Sequence, residues 1–243
     1  MEGLAGQDCP QAGPQSQPSG ADGRVMIASG AQWVAPRLRG VSHAVASVVA
    51  IAAATVVVAL APTARAAVAL AVYGAGLIAL FCTSALYHRW PGPARFKPLL
   101  QRIDHSAIYL FIAASYTPIA VVLLHSALVW MILVVAWAGA AAGVALTLGW
   151  IGAPRVLVVG SYLALGWIGV MALPQLVLVL GFVPLALLGT GGVLYSVGAI
   201  VFATQRPDPW PRTFGFHEVF HALVIAAAAA QYVAIVGWVL PAS

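Results

Sequence analysis

Long apolar runs, interrupted by short stretches that carry Arg, Lys or Pro, dominate the chain from about residue 40 onward. A helix needs roughly 20 apolar residues to cross the hydrocarbon layer. Runs of that order occupy residues 44–62, 66–87, 105–124 and 126–149, and each predicts one transmembrane helix. Between Val156 and Thr204 there is no charged residue at all. At ~1.5 Å per residue, a single helix of that length would reach about twice the thickness of a bilayer, so the run turns back once. Pro174, Gly181 and Pro184 in "PQLVLVLGFVP" supply the break, giving helices near 156–176 and 183–204, with a last one from near His217 to near Leu240. The pattern predicts an all-α, polytopic membrane protein: a seven-helix bundle over residues 41–243, without a second domain. Residues 1–40, rich in Gly, Pro, Gln and Ser, read as a disordered cytoplasmic tail rather than a cleaved signal peptide.

Composition agrees, with 62% hydrophobic and only 7% charged residues, which excludes an ordinary water-soluble globule. The net charge of +5 is no nucleic-acid footprint, because the basic residues sit between apolar runs where membrane topology accounts for them. With the N-terminus inside, Arg24, Arg37, Arg39, Arg89, Arg95, Lys97, Arg102, Arg155, Arg206 and Arg212 all fall on the cytoplasmic side, and Arg65 alone falls outside. This one-sidedness predicts an N-in, C-out protein, the reverse of the usual seven-helix receptor, in the cell membrane with lipids as its partners. Cys9 and Cys82 lie too far apart in character, one in the polar tail and one in an apolar run, to share a disulfide or build a thiolate cluster. Any metal must rest on nitrogen and oxygen.

Ionisable groups inside apolar spans are costly and are functional candidates for that reason. His88 closes the second predicted helix, Asp104 opens the third, and His217 and His221 open the seventh, so all four are expected at one depth near the cytoplasmic end. Ser84 and His88 are four residues apart and share a helix face, as do His217 and His221. Three imidazoles leave one tetrahedral position open, the arrangement of a catalytic Zn2+ that carries water. Asp104 and Ser84 are placed to hold and orient that water. His43 and His105 lie on the same side as competing ligands, His125 falls on the opposite side, and Glu218 reads as an anion favoured at a helix N-terminus.

His217-Glu218-Val219-Phe220-His221 also spells H-E-x-x-H, the helical signature of zinc proteases. Such enzymes take a third ligand from downstream, but Glu218 is the last acidic residue and His221 the last histidine. The match is read as an H-x-x-x-H pair with an intervening Glu, its third ligand coming from His88 upstream.

"SALYHR" with Ser84 and His88, "DHSAIYLFIAASYTP" from Asp104, and "FGFHEVFHALV" with His217 and His221 occur in that order. With them the chain resembles the hemolysin III-like bacterial branch of the progestin and adiponectin receptor superfamily over roughly residues 40–240. The resemblance implies zinc held by His88, His217 and His221, with Asp104 and Ser84 beside the metal-bound water. It further implies, through similarity to alkaline ceramidases, hydrolysis of a lipid amide or ester. Where that superfamily leads one to expect a histidine-tyrosine pair late in the last helix, this chain has Gln231-Tyr232. The competing expectation is a non-enzymatic membrane protein, a sensor or a cytolysin with structural zinc. For a cytolysin, no row of polar residues crosses the spans to line a pore.

Overall fold

In lipid every backbone polar group must be satisfied within its own segment, which leaves helices as the element open to these apolar runs. The computed structural model describes residues 25–26, 33–34, 36–124, 127–150 and 152–243. Among them, seven helices are long and apolar enough to span a membrane: α1 Val41–Ala59, α2 Ala64–Arg89, α3 Lys97–Leu123, α4 Ala127–Gly149, α5 Arg155–Leu180, α6 Phe182–Thr204 and α7 Phe216–Val239. The strands present are a two-residue antiparallel pair, Val25–Met26 with Trp33–Val34. The predicted all-α bundle is therefore observed. Most of the proposed 1–40 tail, Cys9 and His125 lie outside the described residues.

Local chemistry sets the helix ends. Thr63 caps α2, its side chain accepting from Ala66 N at 3.2 Å. Gly181, in a left-handed conformation at φ 71°, closes α5, and Pro184 sits in the first turn of α6, where a missing N–H costs nothing. The break predicted between the fifth and sixth helices is thus at Gly181, and α5 ends at Leu180, four residues beyond the end expected at 176. Within α5 the regular helix Arg155–Gly166 gives way to a 3-10 turn, Ile168–Ala172, before Leu173–Leu180 resumes. The Tyr116 hydroxyl serves this irregular turn, donating to Gly166 O and accepting from Gly169 N at 3.2 Å.

One sequence expectation is corrected. The third helix begins at Lys97, not near 105, because Pro98 is well suited to a helix's first turn and the polar residues after it are good helix formers. The helix extends beyond its apolar run. Asp104 consequently does not open α3 but lies about two turns inside it, buried.

Packing follows chain order, α1 against α2, α2 against α3, α3 against α4 and α6 against α7, while α7 also touches α1. α3 is central, with 67% of its apolar window buried against 22–50% for the other helices. Without a hydrophobic force between helices in lipid, close approach of small residues does the work. A Cβ on Gly76 of α2 would lie 2.6 Å from Ala114 Cβ on α3, and one on Gly74 2.7 Å from Ala54 Cβ on α1. Tyrosines of α3 and α5 tie these helices together, Tyr109 to Ser161 at 2.6 Å and Tyr162 to the His105 carbonyl at 3.2 Å. Arg37, Arg39, Arg89, Arg95, Arg155, Arg206 and Arg212 flank helix ends that meet at one end of the bundle, and Arg65 flanks the other.

Gly76→Val should prise α2 from α3 and destabilise the protein by about 1–3 kcal/mol, as overpacking does. Gly160→Ala, which meets open space, is the control and should leave thermal unfolding in detergent unchanged.

Candidate metal centre

Two helix termini and the first turns of α3 bring the predicted residues together. The last turns of α2 present Ser84 and His88 on one face, and the first turns of α7 present His217 and His221. His88 Nε2 and His217 Nε2 are 3.0 Å apart. One nitrogen from each of His88, His217 and His221 lies within 4.8 Å of the others. The Ser84 hydroxyl neighbours the Asp104 carboxylate, and Asp104 Oδ2 stands 3.9 Å from His88 Nε2, the span that one small ligand bridges. Ser84, Asp104, His217 and His221 are all buried, His221 to 1% exposure.

This donor set fits a divalent metal ion of intermediate softness. Nitrogens ~2.0–2.1 Å from a tetrahedral ion sit about 3.4 Å from each other, close to the 3.0 Å between His88 and His217. Buried polar nitrogens left without partners each cost about 1–3 kcal/mol, and His217 Nδ1 and His221 Nδ1 have no hydrogen-bond partner among the described residues. A cation held through Nε2 of His88 and His217 leaves the His217 Nδ1 atom to another partner, so the fit rests on the donor set and its spacing. The convergent set includes neither His43 nor His105. His43 of α1 instead lies flat on His221, ring centroids 3.7 Å apart and planes 13° from parallel.

The intervening Glu of H-E-x-x-H has a different task from that in a protease. Glu218 Oε2 accepts from Gly215 N at 2.9 Å, capping α7, and Oε1 pairs with Arg39 Nε at 2.7 Å. The sequence reading of Glu218 as an N-terminal anion holds, but it had missed the partner. Arg39 belongs to a strap ahead of α1: Arg37 N donates to Arg212 O at 3.1 Å and Leu38 N to Thr213 O at 3.2 Å, joining this segment to the α6–α7 loop. Asp208 in that loop accepts from Phe216 N at 2.9 Å. Gly40 turns the strap into α1 with φ 73°, and a Cβ there would lie 2.6 Å from His88 Cβ. The turn thus needs glycine twice over, for its conformation and for the close approach.

A cavity of about 420 Å³ runs from this cluster into the bundle, lined by His43, Ser84, Asp104, His217 and His221 at one end and mainly by apolar side chains of α3, α5 and α6 beyond. Trp167, Val170 and Leu173 of α5 both line it and are exposed on the outer surface. Gln231 lines the same cavity ten residues past His221, about 15 Å along α7, so it stands well clear of the histidines.

A profile described as Haemolysin-III related matches residues 31–232. The chain is 34% identical to Hemolysin-3 of Bacillus cereus over 182 residues, 74% of this chain and 78% of that protein. It is 31% identical to the Hemolysin-3 homolog of Bacillus subtilis (strain 168) over 165 residues, 68% of this chain and 74% of that one. The human Monocyte to macrophage differentiation factor is 29% identical over 177 residues, covering 68% of this chain and 67% of its own.

Two outcomes follow from this geometry. Purified protein should carry about one metal ion per chain, and His217→Ala or His221→Ala should lower that content severalfold by elemental analysis. Arg39→Met should destabilise by about 3–5 kcal/mol, because it leaves Glu218 buried and unpaired. Arg39→Met with Glu218→Leu should recover much of the loss in denaturant unfolding.

Proposed function

The chain belongs to the haemolysin-III-related family of multi-pass membrane proteins, and on that footing we propose that it is a zinc-dependent hydrolase of a lipid amide or ester. The observation that carries the reading is the Asp104–Ser84 pair beside three convergent imidazoles at one end of an apolar cavity. Three nitrogen donors that leave a coordination position open suit Zn2+ among the common metals. Zinc in that position supplies a Lewis acid that polarises an acyl carbonyl and acidifies water.

The protein's own side chains do the rest. Ser84 holds the Asp104 carboxylate, which accepts a proton from the attacking water and returns it to the leaving nitrogen or oxygen as the acyl bond breaks. His43, stacked on His221, helps to fix that ring's orientation. Apolar walls accept an acyl chain and exclude bulk water, which strengthens every polar interaction at the reacting end. Residues such as Trp167, exposed outside and lining the cavity within, offer lipid an approach from the bilayer.

The gathering of basic residues at the end that holds the site favours a cytoplasmic N-terminus and a reaction at the inner leaflet of the cell membrane. A cytolysin remains the weaker reading, since a water-filled pore requires polar residues along its length, and the cavity walls are mainly apolar.

Asp104→Asn is the test. The hydrolytic reading expects release of fatty acid from an N-acyl lipid to fall about 10²–10⁴-fold while zinc content by elemental analysis stays at the wild-type level. Wild-type protein that holds zinc yet releases no acid from amide or ester lipids would make the site structural, and the sensor reading would stand.

A further inference from the structure

Along the cavity many polar side chains are already committed. Asp104 and Ser84 interact with each other. Ser115 donates to Ile112 O and Ser196 to Gly192 O, both at 2.8 Å, and the Tyr162 hydroxyl donates to the His105 backbone carbonyl at 3.2 Å. His43 lies against His221 with both ring nitrogens closed off.

His105, next to Asp104 in the chain, has no such commitment. It lines the cavity, its imidazole has no hydrogen bond among the described residues, and its nitrogens are absent from the closed-off buried atoms. Its ring meets Phe202 of α6 edge-on at 6.4 Å, and Phe202 in turn meets His217 at 5.9 Å. Successive residues of a helix diverge by about 100°. Asp104 therefore turns toward α2, while His105 turns toward α6. The Tyr162 bond to its carbonyl ties this part of α3 to α5.

We infer that His105 is a substrate-binding residue whose ring N–H donates a hydrogen bond to the acyl carbonyl oxygen of a neutral lipid amide lying in the cavity. The inference rests on the lipid-hydrolase reading and extends it. A carbonyl carried into apolar surroundings without a donor costs several kcal/mol, and an ionised Asp104 can only accept. A neutral imidazole brings one donor nitrogen, and His105 directs its ring away from the carboxylate toward α6, so a linkage reached by both lies between them.

The test compares binding of N-stearoylethanolamine with that of octadecyl hydroxyethyl ether, which lacks the carbonyl, to full-length protein in nanodiscs, with metal content followed in parallel. Wild type should bind the amide about 10-fold more tightly than the ether, the size of one hydrogen bond to a buried group. In His105→Phe, which keeps a ring, the ratio should fall severalfold with metal content unchanged, whereas His105→Gln, which keeps a donor, should retain most of the preference. An unchanged ratio in His105→Phe overturns the inference and leaves the lipid reading intact. Loss of metal in His105→Phe and His105→Gln alike also overturns it, by making the residue part of the metal site. Failure of wild type to bind either lipid removes both.

Discussion

A buried charge must find its partner or lose its place, and in this bundle that constraint fixes the functional end. Glu218 and Arg39 are both nearly inaccessible, 2.7 Å apart, and breaking such a pair is far more costly than forming it is favourable. The pair therefore acts less as a source of stability than as a locating pin. Glu218 follows His217 directly and also caps α7 through Gly215, so whatever holds the carboxylate holds the first turn of α7 in rotation and height. The strap bearing Arg39 is itself bonded to the α6–α7 loop and presses Gly40 on His88. Both halves of the histidine cluster are thereby fixed from one side.

From the other side the cluster is fixed by α3, the helix on which most of the bundle packs. Its Asp104 meets Ser84 of α2, its His105 faces α6, and its tyrosines reach α5. Because small residues let α2 approach α3 closely, the depth of Ser84 and His88 relative to Asp104 is set by backbone contact rather than by flexible side chains. α5 contrasts with this. It is irregular in the middle, packs more sparsely than its neighbours, and carries the residues that connect the cavity with the exterior.

Much of the architecture was legible in the sequence, because hydropathy over some twenty residues reports directly on whether a segment suits a bilayer. Ser84, His88, Asp104, His217 and His221 were legible for a related reason: a polar group in an apolar run stands out, and helical spacing says which ones share a face. The start of α3 was not, since a helix is free to continue past its membrane-embedded part and Lys97-to-Arg102 carries no apolar signal. Nor was the role of Arg39. A single arginine before the first span looks like a topology marker, and nothing in linear spacing links it to a glutamate 179 residues later. Likewise His43 and His105 could be put at the right depth, but only the direction of each ring decides which is stacked on a ligand and which faces open space.

The three histidines able to share a metal ion come from the second and seventh spans, and the arginine that steadies the seventh precedes the first. The cluster therefore cannot assemble until the seventh span has joined the bundle, long after the second has been made. Any ligand that needs all three rings must wait for that late closure.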